Sequence, residues 1–133
     1  MSTGLRIIPA AAYSEYDLFN SGTLNAVNDQ IVITPGPRPI NTYLVMLTGT
    51  WVGTVGFHGN PYGLAGGAEL TAYGHPNSNG QIPGTAAVPN TTTNGVWVIP
   101  AAGLWYLSVR FDARTSGSVT VVIRATMAIQ PVR

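Results

Sequence analysis

The sequence predicts an all-β protein, an antiparallel β-sandwich preceded by an extended amino-terminal arm. Three observations predict it. Sixteen glycines and ten prolines punctuate short runs rich in Val, Ile, Thr, Tyr and Trp, the residue types that fit a pleated, half-buried surface. No window of about a dozen residues keeps a 3.6-residue apolar period without Gly or Pro inside it. The carboxy-terminal third, in contrast, alternates apolar and polar side chains over two long stretches, the period of strands with one buried face. At 133 residues the chain fits one domain with a core large enough to hold without staples. We divide it into an arm or edge segment, residues 1–29, and a sandwich domain, residues 30–133.

Taken in order, Leu5-Arg6-Ile7-Ile8 reads as a short edge strand stopped by Pro9. Ala10 to Phe19 reads as a helical turn or an arm, with Ser14-Glu15-Tyr16-Asp17 as a start signal. Gln30 to Thr34 is a strand, and the three prolines between Pro35 and Pro39 make a stiff, extended connection. Asn41 to Leu47 is nearly continuous apolar sequence, as expected of a strand in the sandwich interior. Gly49 separates it from Thr50 to His58, where Trp51, Gly53, Val55 and Phe57 share one face. Gly53 and Gly56 there suggest bulging or close backbone approach. Residues 59–67 are a Gly-rich loop, Ala68 to Tyr73 a strand, and Gly74 to Gly95 a long polar segment without periodicity. Loops of that length inside a small domain are usually functional or mobile.

Val96 to Ile99 is again a strand, and Pro100-Ala101-Ala102-Gly103 turns the chain. From Leu104 to Ala113, the residues Trp105, Leu107, Val109, Phe111 and Ala113 form one apolar face. From Val119 to Ala125, a second apolar row alternates with Thr120, Val122 and Arg124. With Thr115-Ser116-Gly117-Ser118 between them, the two stretches read as a hairpin.

Charge is the compositional oddity. Charged residues make up 8% of the chain, against about 25% in ordinary soluble domains. There is no lysine, and six arginines stand against five acids for a net charge of +1. A phosphate-neutralising nucleic-acid binder needs a basic face that so few dispersed arginines do not make. The apolar runs fall short of the roughly 20 residues of a membrane span, so we expect neither nucleic acid nor membrane as a partner. No secretory signal is visible at the amino terminus, and the absence of cysteine excludes disulfides and thiolate chemistry and fits synthesis in a reducing cytoplasm. Charge keeps monomers apart in solution. A folded chain with so little of it reads as a component whose surface is covered in an assembly.

Sites for chemistry are sparse. His58, Glu69 and His75 are legitimate metal ligands if they converge at one sheet edge, but no tight spacing ties them together. Ser116 lies in a turn signature and not in a nucleophile elbow. Asp112 sits two residues from Arg110 on one strand face, the arrangement of an ion pair and not of a carboxylate pair. The stretch Gly63-Leu64-Ala65-Gly66-Gly67 lacks the lysine and helix of a phosphate loop. We therefore expect no enzyme, no metal and no cofactor. Trp51, Trp97 and Trp105 fall on apolar faces and read as core residues, whereas Tyr62 and Tyr106 read as exposed contact residues. Arginine in place of lysine suits bidentate, partly desolvated contacts between subunits. The candidate interface residues are Arg6, Tyr13, Tyr16 and Phe19 in the arm, Arg38 in the Pro segment, and Tyr62, Tyr106, Arg110, Arg114 and Arg124.

Four segments together carry a resemblance: the G-T-W-V-G-T-V-G-F strand from Gly49, the short G-V-W-V-I-P strand from Gly95, A-G-L-W-Y-L-S-V-R, and T-S-G-S-V-T-V-V-I-R-A. They resemble small β-sandwich structural proteins of tailed bacteriophages, over Gly49 to Gly59 and Gly95 to Thr126, about a third of the chain. Two features depart from that group. Phe57-His58-Gly59-Asn60 replaces its F-E-G-S, and its S-x-D-G-x-x-W turn is missing, with G-N-P-Y-G-L-A-G-G-A-E-L in its place. The resemblance implies a jelly-roll-like sandwich and a virion protein, a capsid decoration or cement protein on the outer capsid surface. The major capsid protein and further copies of itself, as dimer or trimer, are then its partners. It brings no catalytic residues. The alternative is a carbohydrate- or receptor-binding module of a tail or fibre, using exposed Tyr and Trp and the loops between Gly59 and Gly95.

Overall fold

The computed structural model describes residues 12–14, 17–34, 40–60, 69–76, 86–101 and 104–127. Among them there is no helix, and nine strands join into one antiparallel sheet. They are β1 (Ala12–Ser14), β2 (Asp17–Leu24), β3 (Gln30–Ile33), β4 (Ile40–Asn60), β5 (Leu70–Thr71), β6 (His75–Pro76), β7 (Asn90–Thr91), β8 (Gly95–Pro100) and β9 (Tyr106–Met127). The all-β, antiparallel expectation holds. All nine strands are linked by hydrogen bonds into a single sheet, not divided between two.

The sheet is built on a ribbon of two very long strands. β4 has 21 residues and β9 has 22, and they pair antiparallel from Ile40 opposite Met127 to Asn60 opposite Tyr106. A straight strand of that length would span about 70 Å, whereas a compact chain of this size has a radius of gyration of roughly 14 Å. The ribbon must therefore bend, and its glycines show where. Gly49, Gly53 and Gly117 all have positive φ, at 119°, 157° and 83°. A Cβ on Gly117 would sit 2.2 Å from the Thr50 carbonyl oxygen, and one on Gly53 2.2 Å from that of Ala113. Two bulges on β9 lie beside this bend. Thr115 is the extra residue between the Gly53–Arg114 and Val52–Ser116 pairs, and Asp112 between the Val55–Phe111 and Thr54–Ala113 pairs. One bulge reverses which face the side chains take, and two restore it. Odd-numbered β9 residues consequently point inward both at Leu107, Val109 and Phe111 and at Val119, Val121 and Ile123.

The bend divides the ribbon into halves that share one core. In the first half (40–52 with 116–127), β2 flanks β9 and β8 flanks β4, with β1 and β6 beyond them. In the second half (53–60 with 106–114), β3 flanks β9, and β5 and β7 flank β4. Trp97 pairs beside Val45 in the first half, yet its ring lies 5.9 Å from that of Phe57 in the second. Those two β4 positions would stand about 40 Å apart on a straight strand. Tyr43, Val45, Leu47, Val55, Phe57, Phe111 and Ile123 are all fully buried in the same cluster.

Several sequence expectations change. The hairpin over 104–126 is absent: Thr115 to Ser118 continue a single strand opposite Thr50 to Val52, and each arm pairs with β4 instead of with the other. Turn-type residues there serve a bend in a strand, because β4 offers both arms a partner along their whole length. Gly49 likewise bends a strand that the sequence divided in two. Residues 12–14 and 17–24 are strands and not a helical turn. β2 pairs with β9 from Asp17 to Leu24, and Leu18 and Leu24 are core residues. Its inward row reads Leu18, Asn20, Gly22, Leu24, so alternation is hidden by a buried asparagine whose amide donates to the Val32 carbonyl at 2.9 Å. The strand expected from Ala68 to Tyr73 reduces to β5. Trp105 precedes β9 and is 41% exposed, outside the core. Trp97 is buried, and Trp51 packs against the core with its ring edge-on to Phe111. The segments at residues 5–8, 35–39 and 61–67 lie outside the described residues.

Candidate interaction face

Alternation along the first half turns every even-numbered residue of β4 outward. Register then assembles rows across the sheet. Phe19, Arg124, Leu44 and Val98 make one row, and Ser21, Val122, Met46 and Val96 the next. Thr23, Thr120 and Thr48 make a third, in which the first two hydroxyls approach at 3.5 Å. Leu44 and Met46 are each 39% exposed, Val96, Val98 and Val122 are half-buried, and Val52 near the bend is 57% exposed. The one charged side chain in these rows is Arg124, which is exposed and whose guanidinium lies 5.3 Å over the Phe19 ring, a cation–π placement. An apolar centre rimmed by threonine is the composition of a surface that is cheap to desolvate.

The outward face of the second half has the opposite character. Gly56 has no side chain, and Asp112, the bulged residue, and His58 close over it: a Cβ there would meet the Asp112 carboxylate and His58 Nε2. His58 Nε2 lies 3.0 Å from both Asp112 carboxylate oxygens, so the imidazole donates and the carboxylate accepts. Arg110 Nε donates to Asp112 at 3.0 Å, and its Nη1 donates to Glu69 at 2.8 Å. The Tyr106 hydroxyl donates to the other Glu69 oxygen at 3.2 Å. Hydrogen bonds from His58 and Arg110 hold the Asp112 carboxyl below its ordinary range against the opposing effect of burial. Burial, reinforced by the Glu69 charge, pushes Tyr106 up to about 12. Beside this cluster the Ser108 hydroxyl donates to Gln30, both buried.

The sequence-derived candidates divide between these regions. Arg110 is in the ion-pair cluster with Asp112, the pairing expected from their spacing. Tyr106, expected to be exposed, is buried and bonded to Glu69. Arg124 and Phe19 belong to the apolar face, and Arg114 donates from Nε to the Gly117 carbonyl at the bend. Tyr13 is in β1. Arg6, Tyr16, Arg38 and Tyr62 lie outside the described residues. Of the three metal-ligand candidates, His58 Nδ1 and Glu69 come within 3.9 Å, but Arg110 occupies Glu69. His75 is on β6, opposite Val98. Among the described residues no group of three or more His, Asp or Glu is placed to hold a metal ion, and no helix is long and apolar enough to cross a membrane. The sequence reading missed Leu44 and Met46. In Tyr43-Leu44-Val45-Met46-Leu47 both faces are apolar, so the period of two is invisible and the run reads as buried on both sides.

No family model and no curated protein matches the chain. Among solved structures it is similar to the SPBc2 prophage-derived protein YomS, at 14% identity, over 87% of this chain and 100% of that one, with a TM-score of 0.58. At that identity the likeness is one of fold. The Aeromonas hydrophila periplasmic inhibitor of g-type lysozyme (12% identity, 94% and 98% covered, TM-score 0.38) and the cyanophage Pam1 capsid asymmetric unit (16%, 90% and 91%, 0.36) overlay too loosely to carry an argument.

Proposed function

We propose that this chain is a non-enzymatic structural protein of a bacteriophage particle, a capsid decoration protein that clamps the outer capsid surface as a homo-oligomer. The observation that carries the reading is the outward face of the first half, an open apolar and threonine surface on a chain with 8% charge. Burying such a face contributes about 25 cal/mol per Å² of apolar area, and many copies on one shell add avidity. The resemblance of the Gly49 and Gly95 segments to phage structural proteins, and a fold similar to that of a prophage-derived protein, support the same assignment. In this reading the bent sheet serves as the jelly-roll-like sandwich.

The test is occupancy on capsids assembled without the protein. Purified chain is added back, and binding and shell melting are compared with those of Leu44→Glu and Met46→Glu. Lost occupancy with unchanged folding is the expected result. Wild-type occupancy by both variants, or no binding to capsids at all, overturns the reading.

A further inference from the structure

We infer that the groove between β7, β8 and the Pro76 edge is a binding site for a neutral saccharide of about two rings. This goes beyond the proposed structural role and does not rest on it. The groove is open to solvent and offers about 380 Å³, within the range of roughly 300–1,000 Å³ in which small-molecule sites fall. Its walls are fixed by bonds. On one side, Thr93 N donates to the Thr91 hydroxyl, and Asn94 is held at both ends of its amide: Trp51 Nε1 donates to its Oδ1 at 2.7 Å, and its Nδ2 donates to the Gly49 carbonyl at 2.8 Å. On the other side, Val88 and Gly74 exchange a pair of backbone hydrogen bonds at 2.8 Å. Trp97 makes the floor, wedged between Phe57 and Gly95, where a Cβ would come 3.0 Å from the indole ring.

The lining chemistry selects the ligand class. None of the described lining residues carries a charge, so a phosphate, carboxylate or ammonium ligand would lose its hydration with no counter-charge from them in return. Val88, Val96, Pro76 and Trp97 supply apolar surface, and the Asn90–Asn94 loop supplies amides and hydroxyls. Within that loop the Asn90 amide and the Thr92 hydroxyl are exposed and make no side-chain hydrogen bond among the described residues. A sugar ring matches this division, with apolar C–H faces and a rim of hydroxyls that both donate and accept. The groove falls largely within the Gly59 to Gly95 loops that the carbohydrate alternative named from sequence, but its polar contacts come from Asn and Thr and not from an exposed tyrosine. The order in the walls means little ordering cost falls on binding.

The experiment is a titration of the full ¹⁵N-labelled chain with maltose, cellobiose and N,N′-diacetylchitobiose, and with a sulfated chondroitin disaccharide as the charged counterpart. Saturable amide shifts confined to residues 88–97 and the Trp97 indole are expected from at least one neutral sugar. The charged disaccharide should bind at least about tenfold more weakly. An Asn90→Ala/Thr92→Ala variant, whose dispersed spectrum reports that it is folded, should bind about three- to tenfold more weakly, the effect of one or two hydrogen bonds. No saturable shift with any neutral sugar, shifts located elsewhere, equal binding of the charged disaccharide, or an unaffected double variant each overturns the assignment.

Discussion

The two halves of the ribbon share a core and differ in what they show to the outside. The second half closes its outward face with its own side chains: His58, Glu69, Arg110 and Asp112 satisfy one another, and Tyr106 and Ser108 are buried beneath them. The first half leaves Leu44, Met46 and the flanking valines unanswered, with Arg124 as the one charged side chain in those rows. A face that pairs its polar groups internally is built for stability. A face that leaves apolar area open is built to meet something. The scarcity of charge in the sequence is therefore not uniform in space: what charge the described residues carry is concentrated away from the surface assigned to binding.

The sharpest way to break the comparison is at the joint that creates it. Gly117→Ala places a methyl 2.2 Å from the Thr50 carbonyl at a φ of 83°, combining left-handed strain with a backbone clash. We expect a loss of about 3 kcal/mol or more, read by urea unfolding, with both halves melting together because they share one core. Loss of one half alone would show that the halves fold separately.

A smaller effect is expected inside the charged cluster. Arg110→Met removes the arginine that Glu69 and Asp112 share and leaves His58 as the remaining partner of Asp112, at a cost of about 1–2 kcal/mol after allowance for partial exposure. pH separates the members. The folded Asp112 carboxyl titrates below its unfolded value. Its contribution is thus complete above about pH 4 and is lost as pH falls through the lower folded value, so Asp112→Asn flattens the acid limb of stability. Tyr106 is raised to about 12. Its contribution is present below the ordinary phenol value of about 10 and is lost as pH rises from there toward 12, so Tyr106→Phe flattens the alkaline limb. Thermal unfolding followed from acid to alkaline pH reads both.

Tyr43 is the exception in the first half. Its ring is fully buried and its hydroxyl finds no hydrogen-bond partner among the described residues. A buried hydroxyl without a partner costs stability, and burial also holds its ionisation well above the usual phenol range. Tyr43→Phe is expected to stabilise the chain by about 1 kcal/mol in thermal or chemical unfolding. Destabilisation would mean that the hydroxyl is satisfied.

How far the sequence could be read depended on whether a pattern was local. β3 and β8 were legible as short β-branched runs with turn residues at their ends, and the Arg110–Asp112 pair was legible from spacing on one strand. Close backbone approach at Gly53 and Gly56 was legible too, because glycine weakens a strand interior and persists where a bulge or a near neighbour leaves no room for a side chain. The long ribbon was not legible. Gly49, and the run from Thr115 to Ser118, look like chain reversals, and only the pairing of β4 with β9 across some sixty residues makes them bends. β2 was missed because Asn20 and Gly22 occupy its inward row. The His58 cluster needed three segments brought together, with Glu69 arriving from just before β5, a proximity that no spacing encodes.

The smallest expected change is also the one that decides which face is which. Leu44 and Val45 are adjacent in sequence, and register alone sends one outward and the other into the core. Leu44→Thr trades an exposed apolar side chain for one whose hydroxyl stays hydrated, so unfolding stability should change by less than about 0.5 kcal/mol. Val45→Thr keeps the shape but buries a hydroxyl among Tyr43, Leu47 and Ile123, at about 1–3 kcal/mol. The order of these two numbers tests the strand alternation on which the outward apolar face depends. If Leu44→Thr proved the costlier, the face assigned to binding would be part of the core, and the contrast between the halves would reverse.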